Sequence, residues 1–282
     1  MSISSSAVLA KLNISVWTAN KLDHGATAQV IAVNGAADKA AQVRKNLMAG
    51  TRARKDIADF AAECRLWHNQ WTLAWDDRGS RLLPTSLFLD YKAQANKRRD
   101  KFNAMVDGFL HNYAAHVQTS ANYLGTLFDA SDYPTEDQVR QKFGFHLVFT
   151  PVPESGHFIL DIPQQELEET KASCELEIQQ RTTDAMRGAW DRLYKMLSTM
   201  RDKLEETEDS KKRWHDSFVT NAQELCQMLT HLNVTGDAEL EKARKGLESA
   251  MQGADIDCIK GSEAVRENLK VKVDSILSQF EW

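Results

Sequence analysis

The chain has 282 residues, 42% of them hydrophobic and 27% charged, a balance that excludes wholesale disorder. Its net charge of −5 is unevenly placed, since residues 1–150 hold 18 basic and 14 acidic side chains while residues 151–282 hold 17 and 26. Only 13 Gly and 5 Pro punctuate it, so long uninterrupted elements are expected, and these are helical.

Taken in chain order, Leu12, Ile14 and Val16 alternate with Asn13 and Ser15, which predicts a half-buried strand between Leu9 and Trp17. Ala26–Val33 is a short apolar run whose periodicity does not separate strand from helix, and Asn34-Gly35 ends it. From Ala37 to Trp71, apolar residues at three- and four-residue steps (Ala40, Val43, Leu47, Ile57, Phe60, Cys64, Trp67) predict two helices divided at Met48–Thr51. The segment Trp75–Ser80 reads as a turn. A long helix follows from Thr85 to Phe128, with Thr85 or Ser86 as its cap and a length of roughly 65 Å.

Beyond a break at Asp129–Pro134, Thr135 caps a short helix with Glu136 and Asp137 in its first turn. Phe143–Thr150 and His157–Ile162 then predict a β-hairpin, occupying about 143–162, joined by a proline-rich loop. Pro163 opens a second long helix with a stripe from Leu167 through Cys174, Ile178, Met186, Trp190, Leu197 and Leu204. A charged stretch from Glu205 to Arg213 leads to three shorter helices, Trp214–His231, Ala238–Met251 and Ser262–Phe280. The expected fold is mainly α with a small β element: an elongated antiparallel pair of long helices, C-terminal helices and a β-hairpin. Three consecutive stretches are expected, 1–84, 85–209 and 210–282, forming one continuous unit. Each long stripe could also be covered by a second copy of the chain.

Chemistry is sparse. There is no GxxxxGK[ST], GxGxxG, GxSxG or HExxH, which argues against an enzyme. Cys64, Cys174, Cys226 and Cys258 lack CxxC spacing and suggest neither disulfides nor zinc. His111 and His116 fall on different helix faces, and His146 and His157 flank the hairpin loop without a third ligand, so no metal and no cofactor are expected. The N-terminus lacks an export signal and no run reaches the roughly 18 apolar residues of a membrane span, so a cytoplasmic protein without membrane contact is expected. Two surface features remain. Arg52, Arg54, Lys55, Lys97, Arg98, Arg99 and Lys101 could contact phosphates of nucleic acid. Trp67, Trp71 and Trp75, four apart, could form an aromatic ridge for binding, although helix packing explains the same spacing.

Several segments together carry a resemblance: LNISVWTANKLD, WHNQWTLAWDDRGSRLLP, SDYPTEDQVRQKFGF, TPVPESGHFILDI and MRGAWDRLY. In this order and spacing the chain resembles a family of proteins from tailed phages and conjugative elements, classed only as a domain of unknown function. Ala74 departs from the family's pattern, which has Pro there. The resemblance implies a mobile-element protein encoded near MoxR-type AAA+ ATPases, and it implies no catalytic residues. The expectation is a non-enzymatic interaction protein, an adaptor or partner of such an ATPase. The alternatives are a nucleic-acid-binding accessory factor in phage or plasmid DNA metabolism and an inhibitor of a host defence protein.

Overall fold

The computed structural model describes residues 3–154, 163–205, 216–280 and 282. Its elements in chain order begin with α1 (Ile3–Ser6), β1 (Ala7–Ser15), β2 (Asn20–Leu22), α2 (His24–Val33) and β3 (Arg44–Asn46). Next come α3 (Ala53–Trp71), β4 (Leu73–Ala74), β5 (Arg81–Pro84), α4 (Phe88–His111), α5 (Tyr113–Leu124), α6 (Glu136–Arg140) and β6 (Gly144–Pro151). The rest is α7 (Gln164–Leu204), α8 (Ser217–Leu232), α9 (Ala238–Met251), α10 (Ile256–Gly261) and α11 (Glu263–Gln279). The protein is mainly α with a small antiparallel β element. One sheet has the order β4-β5-β1-β6, and β2 with β3 forms a separate ribbon.

Two compact units share the chain, and each is discontinuous in sequence. Unit 1 comprises Met1–Lys11, Asn69–Tyr91 and Val148–Trp282, and unit 2 comprises Leu12–His68 and Lys92–Leu147. In unit 1, Val8 pairs with Leu83 across β1 and β5, and Leu73 pairs with Leu82 across β4 and β5. The expected turn closes that second hairpin, with Asp76 Oδ1 accepting from the Arg78 and Ser80 amides. The core of unit 1 gathers Ala189, Leu193, Leu197 and Met200 of α7 with Cys226 and Leu229 of α8, Leu247 of α9 and Val273 of α11. In unit 2, Ile14, Trp17, Ile57, Phe60, Cys64, Phe102, Val106 and Phe109 form a second core.

Several expectations meet the structure directly. β1 buries Ile14 and half-buries Leu12 while Asn13 and Ser15 face water, as the alternation requires. Thr135 and Gln138 form a complete capping box on α6. Pro163 precedes α7, and α8, α9 and α11 fall where the periodicity put them. Of the hairpin, β6 is present, and its expected second strand, 157–162, lies outside the described residues, as does most of the charged stretch after Glu205.

Others are corrected. No helix runs from Ala37 to Leu47: Lys39 (φ +69°) and Gly50 (φ +77°) are left-handed, and Lys45 in β3 pairs with Lys21 in β2. Gly50 adopts this left-handed conformation without strain, and a β-carbon there would have to displace the exposed Tyr123 ring. The helix from Thr85 to Phe128 is interrupted. Asn112 leaves helical geometry between α4 and α5 (φ −102°, ψ 13°), and Gly125 (φ +53°) ends α5. Thr85 and Ser86 do not cap α4, since the Thr85 hydroxyl donates to the Ser6 carbonyl (3.1 Å) and Ser86 Oγ meets His231 Nδ1 (3.1 Å). The stripes expected to cover each other are covered separately. That of α4 is buried inside unit 2 with α3 and β1, and that of α7 inside unit 1 with α8, α9 and α11. Within α7 burial is complete only from Ala185 onward, and Leu176 is exposed.

A buried ion cluster ties unit 2 together. The Lys45 ammonium, 9% exposed, pairs with Asp132 (2.5 Å) and Asp23 (3.4 Å) and donates to the Leu127 carbonyl (3.1 Å). Asp23 meanwhile caps α2 through the Ala26 amide (2.9 Å), which holds its carboxyl below the usual carboxylate range. The hydrogen bond to Asp132 raises the pKa of Lys45 above the ordinary 10.5. Replacing Lys45 with Met should cost about 3 kcal/mol, because two carboxylates lose their buried cation. A group raised on folding contributes fully below its unfolded pKa and loses that contribution as pH climbs through its folded value. Chemical denaturation should therefore show stability falling as pH rises above 10.5 in the wild type, with a weaker slope in Lys45→Met.

Candidate functional site

A concavity of unit 1 lies on the exposed side of α7. It is a cleft of about 710 Å³ lined by Thr183, Arg187, Trp190, Asp191 and Tyr194 of α7, Asp237 before α9, and Trp282. That volume lies within the usual range of ligand sites, roughly 300–1,000 Å³. Helical periodicity explains the placement: residues 183, 187, 190, 191 and 194 share one face, while Ala185, Ala189, Leu193 and Met200 face the core.

Asp237 builds the wall. Its Oδ1 accepts the Glu239 and Leu240 amides (2.9 and 3.1 Å) and so caps α9, while its Oδ2 accepts from Trp190 Nε1 (3.0 Å) and fixes the indole. Trp282 stands edge-on to Trp190 (5.4 Å between centroids, 79°) and tilted to Tyr194 (5.4 Å, 42°), and Phe280 packs on both tryptophans. Trp282 Nε1 donates to the Leu277 carbonyl (2.8 Å). The rings nevertheless stay in water, with Tyr194 43% and Trp282 40% exposed. Asp191 is exposed beside them. An aromatic surface with an adjacent carboxylate can bind cationic or apolar side chains. Sequence reading placed Trp190 in the buried stripe and passed over Tyr194 and Trp282. The signal available was the pair Trp190 and Tyr194 at i and i+4, but nothing local announces that Trp282 joins them.

The basic residues singled out in the sequence lie in unit 2 and are largely occupied. Arg54 donates to the Trp17 carbonyl (2.7 Å). The Arg98 guanidinium sits 4.3 Å from the centre of the Trp67 ring, and the Lys101 ammonium 4.3 Å from that of Phe60, so both fasten α4 to α3. Arg52, Lys55 and Arg99 each lie beside an acid, Asp56, Asp59 and Asp100. Lys97 is exposed. The tryptophans form no surface ridge: Trp67 is buried in unit 2, Trp75 is buried in unit 1, and the half-buried Trp71 packs on Tyr91 (6.2 Å). The chain leaves the helix at Trp71, which is why the four-residue spacing does not carry Trp75 onto the same face.

Other reactive types sit in structural surroundings. No cluster of three or more His, Cys, Asp or Glu at metal distance occurs among the described residues. His116 stacks on Phe109 (5.3 Å), and burial lowers its pKa. His146 is exposed on β6, and His157 lies outside the described residues. Burial pushes the Cys64 thiol up and the Cys226 thiol to about 11, which keeps both protonated and unreactive near neutrality. Among the described residues no helix is long and apolar enough to cross a membrane.

Two outcomes follow. Arg98→Ala should destabilise the protein by about 1–2 kcal/mol through loss of the Trp67 contact, whereas Lys97→Ala should stay within about 0.5 kcal/mol, as read from denaturation midpoints. With a disulfide reagent at pH 8, exposed Cys258 should react first, and Cys64 and Cys226 only as the protein unfolds.

Comparisons with protein-family models, with curated proteins and with solved structures give no match for this chain.

Proposed function

We propose that the protein is a non-catalytic interaction protein that holds a basic segment of a protein partner in the cleft formed by Trp190, Tyr194 and Trp282. The observation that carries this reading is the exposure of two aromatic rings, Tyr194 and Trp282, in a preformed concavity. Tryptophan, tyrosine and arginine dominate the energetics of protein interfaces, and all three line this cleft. Charge selects the occupant. Unit 1 has 20 basic and 29 acidic residues, a net −9, against 15 and 11 in unit 2. A lysine or arginine of the partner gains from the aromatic faces, from Asp191 and Asp237, which outnumber the cleft's own cation Arg187, itself beside Asp184 (3.5 Å), and from the negative charge of unit 1. The setting is the one the sequence resemblance implies, a phage or mobile element whose neighbouring MoxR-type AAA+ ATPase is the first candidate partner.

The test is affinity capture with the tagged full chain from element-bearing cells, with and without nuclease. It is followed by titration of each captured partner against wild type, Tyr194→Ala and Trp282→Ala. Both residues lie at the surface, so the variants should fold. A nuclease-resistant partner whose affinity drops about thirtyfold in the variants, the size of one interface hot spot, supports the proposal. A partner indifferent to both changes overturns it. Recovery that requires nucleic acid also overturns it and moves attention to Lys97 and Arg99 of unit 2.

A further inference from the structure

Between β2 and β3 of unit 2 the chain forms α2 and then returns through residues 37–43. The Asp23 amide donates to the Val43 carbonyl (2.9 Å), and the Val43 amide donates to Thr27 Oγ1 (3.0 Å), so the return lies along one side of the helix. Residues 24–37 contain no Lys, Arg, Asp or Glu. Yet α2 buries none of its residues, while every other described helix of its length or more buries side chains.

The two sides of α2 differ in exposure. Ala26, Thr27 and Ile31 are half-buried on the side of the return. Gly25, Ala28, Gln29, Ala32 and Val33 recur at steps of three and four residues, share the other face, and are all exposed, Val33 at 86%. This is the spacing with which a helix meets a core, and here water meets it instead. The apolar surface continues at the base, where Leu127 is 44% exposed and its carbonyl holds Lys45 of β3.

We propose that this face of α2 is a contact between two copies of the chain, the two helices crossing antiparallel about a two-fold axis at Gln29. The one polar side chain of the face decides the occupant. Gln29 lies at the middle of α2, and its amide makes no hydrogen bond within the protein among the described residues. An amide carries both donors and an acceptor, so across a two-fold axis each Gln29 donates to and accepts from its own copy. Charge agrees. Asp38 and Lys39 follow the far end of α2, and Arg44 and Asp129 lie at its base, all exposed and one of each sign at either end. An antiparallel crossing therefore sets neutral tip against neutral base, whereas an acidic or a basic partner finds no excess charge to pair with. Ala28 and Ala32, flanking Gln29, let the two backbones approach closely. The contact lies in unit 2 and is independent of the aromatic cleft of unit 1.

The experiment is analytical ultracentrifugation of the full chain at about 1–100 μM, a range suited to a small interface. The wild type should show a monomer–dimer equilibrium. Gln29→Glu sets like charges face to face and Val33→Glu buries a charge, so each should weaken the dimer about tenfold or more. Leu89→Glu, at an exposed leucine of unit 1, should leave it unchanged. Mixing Gln29→Glu with Gln29→Lys should restore a dimer, as only a contact of position 29 with its own copy does. All four positions are exposed, and circular dichroism checks that each variant folds. A wild type that stays monomeric throughout overturns the proposal, whatever other protein α2 captures. So does a dimer indifferent to both glutamates, or a Glu–Lys mixture that stays monomeric.

Discussion

Unit 1 depends on the need of α7 to remove its apolar stripe between Ala185 and Leu204 from water. Seven residues of this stretch are buried, and each large side chain among them contributes about 1.5–3 kcal/mol when it leaves solvent. A single helix partner covers only one flank of such a stripe, so α8, α9 and α11 gather around it and their own apolar faces close the core. Once α7 is held on that side, its opposite side is fixed at the surface. The cleft of Trp190, Tyr194 and Trp282 is thus a by-product of the packing that fills the core. Asp237 joins the two roles in one carboxylate, capping α9 and orienting Trp190.

Cations show how misleading residue type alone can be. Arg98 and Lys101 lie in what reads as a basic run, yet their heads cover the rings of Trp67 and Phe60 and their stems shield the joint between α3 and α4. Lys45 neutralises Asp132 and Asp23 inside unit 2. Arg244 is held by Glu241 and Glu248 along α9, where spacings of three and four residues bring them together. Arg81 and Arg192 are held by carbonyls at the end of α3, as Arg54 is held by the Trp17 carbonyl.

Much of the helical framework was legible before any coordinates. The alternation around Ile14, the Thr135 cap with Glu136 and Asp137 behind it, and the proline ahead of α7 are local signals, and each sits where its chemistry places it. The failures share a cause. Ala37–Leu47 has helical spacing, but pairing of β3 with β2 and two left-handed residues override it. Thr85 and Ser86 are good caps in isolation, yet they hydrogen-bond to Ser6 and His231, residues far away in the chain. The ridge of Trp67, Trp71 and Trp75 presumes a helix that stops at Trp71.

The sequence by itself determined the helix-rich class, the small β component and most helix boundaries after Thr135, because capping, proline placement and amphipathic period act over a few residues. Only the tertiary structure decided that the chain divides into two interleaved units and which partners bury each stripe. It also brought Trp282 beside Trp190, and Arg81 beside Arg192. Those outcomes depend on contacts between residues tens to more than a hundred positions apart, and periodicity carries no information about which of several apolar faces will meet.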